Sequence, residues 1–474
     1  MISRKLPLHL AAGTLALGIA IAVPPAAWAQ PTPGHVFRFS SCFSCSQHNP
    51  TVAGNAAGDF LGTWTEPRDV ISVGVFSRAF NASLAPFGDD FEVAPGAPGD
   101  PPQFDGAAVA DSQGNFVVTW ASLQDGQNVI LAQRFDPHGN PVGGEIEVAA
   151  DPGSPITPSD FKPAVAAAPG GGFVVAWVSV VSQPPGPPRV MARGFDKNGA
   201  PTGAAVQLST SAALGDRPSL CVSSTGRVHA AWTFTDQLLP FQPSLVGVAV
   251  RRLSPAGVPI GPEQVVSPAM DDESSVAIAC GRGNTYVVAW QTAQAPAVSG
   301  SDIVVRRFTR LGRAVGSPFV LNQQVDQDQM NPALAVDSSG AFVAVWEGDA
   351  AGVHKVRGRR FGANGAPLSD EFAVYNAGQG TFSALRPALA FLGAGSFVVA
   401  VDSPGGIVGR IFSLSGAHVA SDAAAASAAT AATGSAGAGD AAAGAAEAAG
   451  AAPGAAAVDG GATTGNGRGA GGLW

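Results

Sequence analysis

Charge is scarce in this 474-residue chain: Asp, Glu, Lys and Arg together make up 13% of it, about half the share of an average domain. The 26 basic residues gather into no cluster, and the formal net charge is −9. It falls to −11 once the first 29 residues, which hold Arg4 and Lys5 and no acid, are removed. An acidic chain without a basic patch has no electrostatic footprint for nucleic acid or for an anionic membrane surface. Beyond the first 29 residues, no apolar run is long enough to span a bilayer. Histidine is sparse, and the six after the leader (His35, His48, His138, His229, His354 and His418) are scattered along the chain. No Gly-x-Ser-x-Gly elbow, His-Glu-x-x-His pair or phosphate-cradling loop is present. These absences argue against an enzyme of the familiar kinds.

Only four cysteines occur. Cys42 and Cys45 are close enough in sequence for a local disulfide or a dithiol. A redox-active pair wants a helix N-terminus or cationic neighbours, and haem attachment needs histidine where Ser46 stands. Cys221 and Cys280 fall at similar places in consecutive repeats. The spacing expected between neighbouring inner strands argues for two buried free thiols there.

Glycine and proline, by contrast, are plentiful, at 61 and 38 residues, as a turn-rich β protein requires. The pattern is clearest in Gly114–Val148. Phe116–Trp120 and Val129–Phe135 are β-branched and aromatic runs that suit half-buried strands. The turn Asp136-Pro-His-Gly-Asn140 follows the second of them. With the small residues Ala107–Ala110 before them and Glu145–Val148 after, the unit reads as four antiparallel strands, A to D. The tryptophan closing strand B recurs at Trp64, Trp120, Trp177, Trp232, Trp290 and Trp346, with Val401 in the seventh place. A second marker runs in phase: Gly139, Gly199, Gly257, Gly312, Gly365 and Gly416 each lie four residues after a strand-C Phe or Leu. Seven such units predict an all-β fold, a seven-bladed β-propeller of four-stranded antiparallel blades.

The expected organisation follows. Residues 1–29 read as a signal peptide, with Arg4 and Lys5, an apolar stretch Leu10–Val23 and a cleavage site near Ala29. They point to export to the periplasm, the outer cell surface or the medium. Residues 30–48 contain His35–Phe39, placed to supply the outer strand of blade seven and close the ring; His418–Ala420 is its rival. Residues 49–420 hold the seven blades. Residues 421–474 are an Ala/Gly-rich tail with too little apolar content to form a core, and read as disordered.

Strand alternation puts the B–C loops and the D-to-A connections at one end, around the mouth of the central channel. Fifteen residues before each marker stand Asn49, Asp105, Lys162, Arg217, Ser275, Asn331 and Arg386, which should form a polar ring there. A wet channel entrance needs polar residues in any case; a binding mouth is the sharper reading. Its candidate residues are Asp105, Arg217, Asp272, Asp328, Asn331 and Arg386. Acids crowd the same end (Asp100, Asp151, Asp160, Asp216, Asp271 to Glu273, Asp326 and Asp328), which makes Ca²⁺ a candidate ligand. Arg78, Arg193, Arg251, Arg306, Arg359 and Arg410 recur at mid-strand C. Such a set could bind carboxylates or sulfates, but one copy per blade is better explained by stacking on an aromatic or pairing between blades.

The consensus G-x-F-V-V-x-W … R-F-x-x-x-G-x-P-x-G resembles the repeat of secreted and surface-displayed bacterial β-propellers. The resemblance covers about four-fifths of the chain and implies no single activity. The Ser-x-Asp-x-Gly-x-x-x-Trp box of sialidase-type propellers is missing. The leading expectation is a monomeric extracytoplasmic binding or adhesion module for a surface glycan or protein. A secreted polysaccharide hydrolase or lyase, and a structural surface protein without a small-molecule site, are the alternatives.

Overall fold

In the computed structural model, residues 30–414 are described apart from 43–44, 69–71, 96–100, 125–126, 152–161, 180–186, 211, 214–217, 237–244, 272, 282–284, 294–299, 326, 351–352, 380–384 and 394. The leader, the proposed tail and His418–Ala420 lie outside these residues.

Seven antiparallel sheets follow one another along the chain. Blade 2 shows the plan, with strands Gln103–Ala110, Phe116–Gln124, Gln127–Phe135 and Pro141–Asp151 pairing in that order. The inner strands A adjoin one another in a closed ring, His48–Gly54 of blade 1 meeting Gln103–Ala110 of blade 2 on one side and Ala388–Leu392 of blade 7 on the other. Closure is by the segment ahead of blade 1: Thr32–Arg38 lies antiparallel to Gly406–Ser413 as the outer strand of blade 7. Phe37 and Phe39 then meet Phe60 and Phe80 of blade 1 in an edge-to-face cluster at 5.6–5.9 Å.

The core lies between blades. Trp64, Trp120, Trp232 and Trp346 are fully buried, each within a cluster that draws on two adjacent sheets. The repeated arginine clamps the same seams. Arg78, Arg193, Arg306, Arg359 and Arg410 each sit over the ring two residues ahead, as Arg359 does over Phe361 at 5.3 Å, whereas Arg251 has Leu253 there. In all six a terminal nitrogen donates to a carbonyl of the preceding blade. Arg193 reaches Val148 O at 3.0 Å, Arg251 reaches Leu208 O at 2.6 Å, and Arg359 reaches Leu321 O at 3.0 Å. The arginine set is therefore a structural device. In blade 2, where Gln133 replaces it, the amide instead donates within its own blade, to Arg134 O.

Both cysteine pairs are disulfides. For Cys221 and Cys280 this corrects the expectation of free thiols. The inner strands converge on the axis more tightly than blade spacing suggests: the two Cα atoms are 5.4 Å apart, and Ile278 N donates to Ser219 Oγ across the same seam at 3.1 Å.

Candidate functional site

Near its start, strand A carries an irregularity in four blades. Between His48 and Thr51, Phe104 and Ala107, Ser274 and Ala277, and Met330 and Ala333, one extra residue opposes the partner strand. The ring residue sits in each bulge with a left-handed backbone: φ is 54° at Asn49, 53° at Asp105, 49° at Ser275 and 51° at Asn331. Arg386, just ahead of strand A in blade 7, has φ 34°. Glycine is the residue suited to this conformation. Side chains occupy it here at some cost in backbone energy, and a bulge re-aims the side chain that it carries.

These side chains converge. Asn49, Asp105, Lys162, Ser275, Asn331 and Arg386 line one open cavity of about 450 Å³ to which all seven blades contribute, floored by residues such as Val52, Leu220 and Leu389. Arg386 donates to Asn49 Oδ1, and Asn49 Nδ2 donates to Asp105 Oδ1 at 3.5 Å. Ser275 Oγ donates to Asn331 Oδ1 at 3.2 Å. Amide, hydroxyl, carboxylate, ammonium and guanidinium thus share one wall, able to donate and accept around a bound ligand.

Of the other residues expected at the mouth, Arg217 and Asp272 lie outside the described residues, as do Asp100, Asp160, Asp216 and Asp326. Asp328 is described but does not line the cavity: its Oδ1 accepts from Ser301 N at 2.9 Å, tying blade 6 to blade 5. Among the described residues, only Cys42, Cys45 and Glu66 bring three metal-type ligand atoms together. The two sulfurs are bonded to each other, and Glu66 Oε2 accepts from Trp64 Nε1 at 2.9 Å and Gln47 Nε2 at 2.7 Å. That chemistry does not suit a cation.

Sequence reading missed the support behind the ring. Asn331 Nδ2 donates to Glu347 Oε2 at 3.0 Å, and His354 Nδ1 lies 2.8 Å from Glu347 Oε1. Asp402 pairs with His48, Oδ2 to Nδ1, at 3.1 Å. Burial pushes the Asp402 carboxyl above its ordinary range, opposed by the His48 hydrogen bond and by Arg386, and reinforced by Glu347. A signal was available in the repeat. The position after the strand-B marker holds Thr65, Ala121, Val178, Thr233, Gln291, Glu347 and Asp402. Acids appear there only in adjacent blades 6 and 7, an asymmetry that a purely architectural position would not need.

No protein-family model matches this chain, and no curated protein matches it. Solved structures do. A protein of unknown function from Dyadobacter fermentans aligns with TM-score 0.50 at 10% identity, covering 81% of this chain and 99% of that one. An α-L-arabinanase from Penicillium chrysogenum, complexed with arabinobiose, aligns with TM-score 0.45 at 12% identity, over 82% and 99%. An α-L-arabinofuranosidase from Fusarium graminearum, also with arabinobiose, gives TM-score 0.43 at 11% identity, over 66% and 93%. At such identities the likeness is one of fold alone.

Proposed function

We propose that the channel mouth is the ligand site of an extracytoplasmic binding module, and that its ligand is a glycan. One observation carries this reading: polar side chains from six blades meet in a single cavity, five of them in left-handed backbone conformations that a merely wet entrance does not require. The volume suits a ligand of a few sugar units. Sugar hydroxyls both donate and accept, as do Asn49, Ser275 and Asn331, while Lys162 and Arg386 match an acidic substituent. Two disulfides agree with an oxidising compartment, and no helix among the described residues is long and apolar enough to cross a membrane.

The test is a glycan array on the recombinant protein, followed by titration of Arg386→Ala and Asn331→Ala with the ligand it identifies. Each substitution should weaken binding about tenfold or more, roughly 1.4 kcal/mol. Wild-type affinity in both would move the partner surface elsewhere. Cleavage of the bound glycan in the same titration would favour the polysaccharide hydrolase or lyase alternative.

A further inference from the structure

The His48–Asp402 pair has a third member. Ser46 Oγ lies 2.8 Å from His48 Nε2, while His48 Nδ1 lies 3.1 Å from Asp402 Oδ2. With Nδ1 protonated and donating to Asp402, Nε2 is the acceptor for the Ser46 hydroxyl. We propose that Ser46, His48 and Asp402 form a nucleophile–base–positioning triad at the rim of the channel, competent to hydrolyse carboxylic esters.

The local backbone explains how two residues so close in sequence share one task. In an extended chain, residues i and i+2 point to the same side. Ser46 and His48 face solvent, and Gln47 between them points inward and is 2% exposed. The Gln47 side chain is pinned from several directions: its Nε2 donates to Glu66 at 2.7 Å and to Ser40 Oγ, and its Oε1 accepts from Ile407 N at 2.9 Å. The Cys42–Cys45 disulfide closes the loop immediately before Ser46. The two catalytic residues therefore stand on a strand start fixed to blades 1 and 7. Asp402 comes from the strand-B end of blade 7, 354 positions away in the chain. Its side chain is 13% exposed and that of His48 54%, so the carboxylate is sheltered while the base and nucleophile are open to substrate. Both hydrogen bonds fall within the reach that activates a serine.

The reaction balances with water as the only co-reactant. Ser46 Oγ attacks the ester carbonyl carbon as its proton passes to His48 Nε2. The tetrahedral intermediate collapses, the carbon–alkoxy oxygen bond breaks, and the alcohol leaves with the proton from His48. Water, deprotonated by the same nitrogen, then attacks the acyl-serine, and the carboxylic acid departs as Ser46 recovers its proton. Arg386 donates to Asn49 Oδ1, on the residue next to His48, and so brings a cation to the cavity side of the triad. Asn49, the next residue after His48, lines the cavity, so the natural substrate would be an acyl ester of a hydroxylated ligand held there. That identity rests on the proposed glycan site; the triad itself does not.

The experiment uses probes that need no glycan. The full chain is treated with a fluorophosphonate and the adduct mapped by mass spectrometry, and hydrolysis of p-nitrophenyl acetate is followed in parallel. A single adduct on Ser46 is expected, with labelling and ester hydrolysis falling at least a hundredfold in Ser46→Ala and His48→Gln. Asp402→Asn should lose at least tenfold and Asp402→Glu should recover part of the loss, which a merely structural aspartate would not show. Absence of label on Ser46, or wild-type hydrolysis by Ser46→Ala, overturns the proposal and leaves the glycan site untouched.

Discussion

His229 stands where five other blades place valine: Val117, Val174, Val287, Val343 and Val398. It is fully buried, its ring lies 4.4 Å from that of Tyr286, and neither ring nitrogen finds a partner. Burial, with Arg252 and Arg227 nearby, lowers its pKa to about 4. The neutral form is thus favoured in the fold, whereas the unfolded chain takes up the proton near pH 6.5. Stability from this site is full above about pH 6.5 and is lost as pH falls toward 4, by up to about 3 kcal/mol. His229→Val should remove that part of the slope. Denaturant midpoints at pH 7 and pH 5 check it: the wild-type drop should exceed the variant's. Equal drops would mean that the imidazole is not held neutral. The repeat pattern shows the substitution plainly; only the packing shows that the ring nitrogens are left without hydrogen-bond partners.

At the scale of the strand, the closure of the ring sets a sharper test. Phe39 N donates to Ile407 O at 3.1 Å, and Phe37 pairs with Gly409 two residues along the same ladder. Antiparallel alternation therefore directs the Phe37 amide into the sheet and the Val36 amide away from it. Val36 is 52% exposed, and an outer strand tolerates proline where its N–H faces solvent. Phe37→Pro should cost about 3 kcal/mol or more, with loss of the phenylalanine cluster added. Val36→Pro should cost far less. Equilibrium unfolding of the two variants decides, and comparable losses would mean that the strand does not close the ring through this ladder. His35–Phe39 was legible as a closing strand because its distance ahead of blade 1 matches the strand-D-to-A gap of the other blades and its rival His418–Ala420 is poorer in apolar residues. The left-handed bulges of strand A were not. Asn and Asp tolerate a left-handed backbone, but Lys162, Ser275 and Arg386 at the same repeat position do not share that preference, so the set reads as polar rather than as a turn.

The seven blades close into a ring, whose stability depends on every seam holding. The Cys221–Cys280 bridge links the inner strands of blades 4 and 5 across a separation of 59 residues. A covalent loop of that length stabilises by about 4 kcal/mol at most in the chain-entropy description. Cys221→Ala with Cys280→Ala should lower the denaturant midpoint accordingly, and mild reduction of the native protein should do the same. A midpoint unchanged by either would show that the bridge contributes nothing beyond the arginine clamps and tryptophan packing of the neighbouring seams.

Period, strand order, blade number and the repeat position of the cavity-lining residues Asn49, Asp105, Lys162, Ser275, Asn331 and Arg386 were determined by the sequence alone. Each is a local pattern multiplied by seven, and chemistry that repeats with the blade can be read off one copy. What sat at single, unrepeated positions was decided by the tertiary structure. Cys221 meets Cys280 because the inner strands crowd at the axis. Glu347 supports Asn331 from within its own blade, where strand pairing folds the two together. Ser46 and His48 meet Asp402 only where blade 7 closes onto blade 1. Closure brings together residues 354 positions apart, and a juxtaposition made by the last seam leaves no trace in a pattern that depends on the nearest neighbours of each strand.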